Sequence, residues 1–166
     1  MEWIMETAPF AEIQPRTVYF IGIGGIGISS LARWFLAQNW AISGSDLVSS
    51  KITHELKKEG VKVKFGHKIA NVPAKIGLVV YTPAIPRDNP ELREARRQGI
   101  PCFSYPQALG ELTKVYTTVA IAGAHGKSTT TALVALVLTE AGFAPTVNHG
   151  TNLKEFGGKN FRKGRG

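Results

Sequence analysis

Two glycine-rich turns at strand-to-helix junctions constrain this chain more than any other feature. They are Gly22-Ile-Gly24-Gly25-Ile-Gly27 near the start and Gly123-Ala-His125-Gly126-Lys127-Ser128-Thr129 towards the end. Each needs an apolar strand leading in and a helix leading out, and a chain that repeats strand and helix around such turns builds a parallel sheet with helices on its faces.

The periodicity supports that pattern. Thr17 to Ile23 is a β-branched and aromatic run that reads as a buried strand. Ile28 to Gln38 then carries Leu31, Phe35 and Leu36 at helical spacing. Further strands are expected at Trp40 to Ser43, Val61 to Phe65, Ile76 to Tyr81 and Ile100 to Phe103. Helices are expected from Ser50 to Glu59, from Asn89-Pro90 to Gly99, and from Pro106 to Leu112. A new unit opens with Val115 to Ala122 as a strand, followed by the second turn and a helix from Lys127 to Ala141; Pro145 to Asn148 leads towards another strand. The fold class is therefore α/β: a Rossmann-like parallel sheet domain followed by the beginning of a P-loop ATPase-type α/β domain. The expected divisions are an N-terminal extension at 1–16, a nucleotide-substrate unit at 17–114 and the start of an ATP-binding unit at 115–166. Since domains usually run roughly 100–200 residues, the second unit is expected to be incomplete, and the chain reads as a piece of a larger enzyme.

Composition narrows the function classes. Met1 to Pro15 has no basic region ahead of an apolar core, so it is not a secretion signal, and Ala132 to Leu138 is too short to span a bilayer. A soluble, cytoplasmic protein with no membrane partner is expected. The net charge of +8 is concentrated in Lys154, Lys159, Arg162, Lys163 and Arg165. With no aromatic interleaving to stack bases, that tail reads as an unstructured stretch of the second unit rather than a nucleic-acid arm. Cys102, the single cysteine, excludes an internal disulfide and reads as a small hydrophobe in a short strand.

The first turn has the Gly-x-Gly-x-x-Gly spacing between strand and helix. Gly22 permits a tight turn, Gly24 and Gly25 let backbone N–H groups approach a diphosphate, and Gly27 is expected to allow close helix–strand packing. Asp46 at the tip of the second strand is the expected acceptor for a ribose or base. This geometry selects a nucleotide diphosphate, which suits a nicotinamide dinucleotide and a UDP-sugar equally. The second turn departs from the strict P-loop because Ile121 stands where the first glycine belongs. Gly123 to Thr129 still offers phosphate-wrapping amides, Lys127 a charge for the β and γ oxygens of ATP, and Ser128 a hydroxyl for Mg²⁺. A lysine at a helix start opposes the helix dipole, which itself points to an anionic ligand. His125 either contacts the γ-phosphate or the substrate, or shapes the loop through a hydrogen bond.

Taken together, Gly22 to Gly27, Ser43-Gly-Ser-Asp46, Asp88-Asn-Pro-Glu91 with Arg97-Gln-Gly-Ile-Pro101, and Ala122-Gly-Ala-His-Gly-Lys-Ser-Thr-Thr-Thr131 resemble the muramyl ligase family of bacterial cell-wall synthesis. The resemblance runs from Thr17 almost to the end and leans to the branch that joins L-alanine to UDP-N-acetylmuramate. It implies UDP-N-acetylmuramate on Gly22, Gly24, Gly25 and Gly27, with Asp46 and His67 near the uridine. It also implies ATP and Mg²⁺ on Gly123, Ala124, His125, Gly126, Lys127, Ser128 and Thr129, with Lys127 and His125 in catalytic roles. The muramyl carboxylate would be activated as an acyl phosphate and then attacked by the amine of L-alanine, although 1–166 alone is expected to be inactive. Three positions depart from the family pattern: Ala124 and Ser128 stand in place of threonine, and Asn148-His149 in place of apolar residues beside Gly150. The rival readings are the family branch that attaches a tripeptide, an NAD-dependent oxidoreductase domain, which leaves Gly123 to Thr129 unexplained, and a non-catalytic nucleotide sensor.

Overall fold

In the computed structural model, which describes Phe10 and residues 12–165, five parallel strands form one sheet. They are β1 (Thr17–Ile21), β2 (Ala41–Asp46), β3 (Lys62–Phe65), β4 (Leu78–Tyr81) and β5 (Cys102–Ser104), in the order β3-β2-β1-β4-β5. The reversal of strand order at β1 is the switch point where open parallel sheets bind ligands beyond the strand ends. Most of the expected extension at 1–16 lies outside the described residues.

Alternation along β1 sorts its side chains between two cores. Val18 and Phe20 pack with Leu31 and Phe35 of α1 (Ile26–Ala37), Leu56 of α2 (Lys51–Lys58), and Ala108 and Leu112 of α4 (Tyr105–Thr113). Tyr19 and Ile21 face Val79, Leu92 and Ala95, the last two from α3 (Pro90–Arg97). Each fully buried large side chain contributes about 1.5–3 kcal/mol. Helix starts follow local chemistry. Ser50 and Ser104 each close a capping box, and Asn89 accepts from the N–H groups of Glu91 and Leu92 with Pro90 next to it.

Two expectations fail in the second unit. Residues 115–122 form no strand, and Val119 is 65% exposed. Strand propensity there meets no neighbouring ladder among the described residues, and backbone groups without a partner stay in water. The basic tail, expected to be unstructured, is instead half of an antiparallel hairpin of β6 (Val147–Leu153) and β7 (Lys159–Arg162). This hairpin lies against α1 and against α5 (Lys127–Glu140).

A polar pin holds it there. Asn160 is fully buried and makes hydrogen bonds at both ends of its side chain. Its Oδ1 accepts from Arg33 Nη1 at 2.5 Å, while its Nδ2 donates to the Ile26 carbonyl and to Ser29 Oγ. Ser30 Oγ donates to the Asn160 carbonyl at 3.0 Å. Arg33, 4% exposed, is neutralised by Glu55 and Glu59 at 3.2 and 3.0 Å. Two of the tail cations add contacts: Lys159 pairs with Glu59 at 2.9 Å, and Lys163 donates to the Ala37 carbonyl at the end of α1.

Replacing Asn160 by Ala removes the partner of Arg33 Nη1 and leaves a void in the buried network, while Arg33 keeps Glu55 and Glu59 and the Ile26 carbonyl keeps Ser29 Oγ. Urea unfolding should show a loss of about 2–4 kcal/mol. A change below about 0.5 kcal/mol would mean that the hairpin does not depend on this pin.

Candidate functional site

The first glycine turn is organised by the end of β2. The Ser45 carbonyl accepts from Gly22 N–H at 2.8 Å and from Ile23 N–H at 3.0 Å. Asp46 Oδ2 accepts from Gly24 N–H at 2.7 Å, and Gly25 N–H closes on the Gly22 carbonyl at 3.2 Å. Gly22 itself has φ +78°, a left-handed conformation, and an added Cβ would stand 2.3 Å from Thr82 Cγ2. The free amides therefore lie further along the chain than the glycine spacing suggests. The N–H groups of Gly22 to Gly25 are bound internally, whereas those of Ile26, Gly27 and Ile28, in the first turn of α1, have no acceptor among the described residues. Asp46, expected at the ribose, is first a brace of the turn, with unshared lone pairs remaining. The reason for Gly27 is also specific. An added Cβ would lie 2.9 Å from Tyr105 Cζ at the start of α4, so the close approach is to another helix and not to a strand.

Beside this turn the carboxyl ends of β2 and β3 carry a buried polar cluster. Glu91, with no exposed surface, receives Asn71 Nδ2 at 2.6 Å and Lys68 N–H at 3.1 Å on Oε1. Ser45 Oγ donates to its Oε2. His67 Nδ1 lies 3.1 Å from both Glu91 Oε2 and Ser45 Oγ. The His67 side chain is 9% exposed, so it is not a surface histidine, and its Nε2 has no partner among the described residues. The Tyr19 hydroxyl is buried against the same group without a hydrogen bond of ordinary geometry; burial pushes it well above the usual phenol range, a rise that Ser45 opposes and Glu91 reinforces. Sequence reading singled out His67 but quoted Glu91 and Ser45 only within family motifs, with no role for either. A Pro-Glu pair at a helix start reads as a cap and a dipole complement, and nothing local signals that the carboxylate turns inward.

The second turn is open. Gly123 to Thr129 are exposed, and their N–H groups have no acceptor among the described residues. Gly126 is left-handed at φ +76° and precedes the first turn of α5. Lys127 folds back, its Nζ donating to the Gly123 and Ala124 carbonyls at 2.5 and 3.1 Å. The lysine thus shapes the empty loop, while the exposed His125 ring makes no hydrogen bond among the described residues, so the loop-shaping alternative is not realised. His149, 2% exposed, lies 2.7 Å through Nε2 from the Ser128 carbonyl and accordingly ties β6 to the turn. A cleft of about 300 Å³ runs from Ser128 and Thr129 along Leu133 and Leu136 of α5 to Leu153 and Glu155. Ser128 Oγ has no hydrogen-bond partner among the described residues, and a hydroxyl in this position could supply one oxygen to Mg²⁺. Among the described residues no group of three or more His, Cys, Asp or Glu side chains could hold a metal.

Residues 17–117 match the family described as "Mur ligase family, catalytic domain". The chain is 49% identical over 142 residues to the UDP-N-acetylmuramate--L-alanine ligase of Campylobacter jejuni, covering 86% of this chain and 32% of that one. Among solved structures it is similar to the UDP-N-acetylmuramate-alanine ligase of Thermotoga maritima, with TM-score 0.84 and 33% identity over 90% of this chain and 35% of that chain. It is also similar to the UDP-N-acetylmuramate:L-alanyl-gamma-D-glutamyl-meso-diaminopimelate ligase of Neisseria meningitides, with TM-score 0.81 and 27% identity over 90% of this chain and 48% of that chain. The chain spans about a third of the length of the curated relatives it matches.

The Gly27–Tyr105 contact gives a local test. Gly27→Ala should lower stability by about 1–3 kcal/mol in urea unfolding, and less in a Tyr105→Ala background. Equal losses in both backgrounds would place the constraint elsewhere.

Proposed function

The chain belongs to the Mur ligase family, and from that premise we propose that it forms the nucleotide-holding part of a UDP-N-acetylmuramate:L-alanine ligase (ADP-forming). Residues 17–114 would take UDP-N-acetylmuramate and residues 115–166 would begin the ATP-binding unit. The observation that carries this reading is the pair of helix starts, α1 and α5, each presenting acceptor-free N–H groups after a glycine turn. A dehydrogenase domain needs the first and has no use for the second. Among the family branches, the alanine enzyme is favoured over the tripeptide enzyme by the higher identity of its relatives, 49% and 33% against 27%.

In this reading the diphosphate sits on the amides of Ile26, Gly27 and Ile28, where the helix dipole is positive. Asp46 and His67 lie on the uridine side. At the second turn the amides from Gly123 to Thr129 wrap the phosphates of ATP. Lys127 exchanges its two carbonyl partners for phosphate oxygens, which places a full positive charge where the transferring phosphoryl group develops negative charge. Ser128 would hold Mg²⁺, which when bound neutralises phosphate charge. His125, exposed and unpaired among the described residues, is free to turn to the γ-phosphate or the substrate. The reaction itself joins the muramyl carboxylate, activated by phosphoryl transfer from ATP, to the amine of L-alanine.

Among the described residues no helix is long and apolar enough to cross a membrane, in keeping with work on cytoplasmic, water-soluble precursors. Residues 1–166 by themselves are expected to give no ADP or amide above background, because among the described residues no carboxylate cluster stands with Ser128 as a metal site.

Separate calorimetric titrations with UDP-N-acetylmuramate, ATP and NADH test the assignment. The first two should bind and NADH should not, and Lys127→Ala should weaken ATP about tenfold or more while leaving the UDP-sugar unchanged. Binding of NADH without the UDP-sugar would contradict the ligase reading.

A further inference from the structure

The Glu91 cluster has more structure than a fold needs, and its hydrogen bonds leave His67 a single arrangement. Both oxygens facing Nδ1 are acceptors towards it. Glu91 Oε2 is a carboxylate oxygen with no hydrogen to give, and the single hydrogen of Ser45 Oγ is already directed to that same oxygen. Glu91 cannot rotate to relax this, because Asn71 Nδ2 and Lys68 N–H hold Oε1, and Asn71 is itself tied to the Gly66 carbonyl at 2.7 Å. The hydrogen of a neutral His67 ring must therefore sit on Nδ1. Nε2 is left as a bare acceptor with no partner among the described residues.

His67 stands two residues beyond the end of β3, next to the end of β2, where Gly66 N–H is bound to the Asp46 carbonyl at 2.8 Å. This is the carboxyl rim of the sheet, beside the glycine turn. We infer that Glu91 is a positioning residue that fixes His67 with Nε2 as an acceptor for the N3–H of a uracil ring, and that this pair selects uridine over cytidine nucleotides. Uracil carries a donor at N3, whereas cytosine carries an acceptor there, which would face Nε2 lone pair to lone pair. A site that leaves one buried polar group unpaired discriminates strongly against the wrong ligand. The inference rests on the reading of the first turn as a UDP site and goes beyond it by assigning the base selectivity to a residue that does not touch the base.

The test uses the full chain. Long-range ¹H–¹⁵N spectra of the histidine rings, assigned with His67→Gln, should show the His67 hydrogen on Nδ1. Calorimetry with UDP and CDP as probes should give UDP an advantage of about tenfold or more. Glu91→Gln introduces an amide donor towards Nδ1. It should move the ring hydrogen to Nε2 and bring the UDP-to-CDP ratio close to one, readouts that a merely structural role for Glu91 would not move. The wild-type spectra and the wild-type ratio decide the matter even if Glu91→Gln does not fold. A hydrogen on Nε2, or equal affinity for UDP and CDP, overturns the inference while leaving a UDP site in place. If neither UDP nor UDP-N-acetylmuramate binds, the site reading falls as well, and the base selectivity with it.

Discussion

The carboxyl end of β2 is the constraint on which the rest of the first site depends. One residue there, Ser45, uses its carbonyl to hold the amides of Gly22 and Ile23 and its hydroxyl to hold Glu91. The first contact turns the chain sharply enough that the amides of Ile26, Gly27 and Ile28 are left at a helix start without internal partners. The second contact carries the same anchoring sideways to His67. Position and polarity at both the proposed diphosphate site and the proposed base site would thus follow from a strand end that is itself locked between β1 and β3 by parallel pairing. Asp46 extends the brace by taking up the Gly24 amide.

The two glycine turns are joined through the hairpin of β6 and β7. His149 in β6 meets the Ser128 carbonyl, and Asn160 in β7 meets the Ile26 carbonyl and Arg33. Each strand of one small hairpin touches the start of a different helix. Buried polar contacts of this kind contribute modestly to net stability but are costly to break, so they favour one mutual placement of the two helix starts over sliding alternatives. In the proposed reaction, which would pass a phosphoryl group from one bound nucleotide to a carboxylate on another, fixed placement would be the protein's main contribution.

Much of the first unit is legible in the sequence because its signals are local. The apolar run from Thr17, the helical spacing of Leu31 and Phe35, the capping serines and Asn89-Pro90 are each decided within a few residues, and the observed elements differ from the expected ones mainly at their ends. What sequence reading missed is decided at a distance. Asn160 and Arg33 are separated by 127 positions, so a tail rich in lysine, arginine and glycine gives no hint that it closes a buried network. Residues 115–122 show the converse: β-branched residues alone do not make a strand when no ladder stands beside them. At the first turn the glycine spacing identified the fold, but which amides remain free is decided by hydrogen bonds that the Ser45 carbonyl and the Asp46 carboxylate accept, and no local signal shows them.

Amide hydrogen exchange on the full chain, with and without each ligand, tests the central claim most directly. UDP-N-acetylmuramate should slow exchange at Ile26, Gly27 and Ile28, and ATP with Mg²⁺ should slow it from Ala124 to Thr129. Unchanged exchange at the start of α1 in saturating UDP-N-acetylmuramate, or protection confined to Gly22 to Gly25, would contradict that claim.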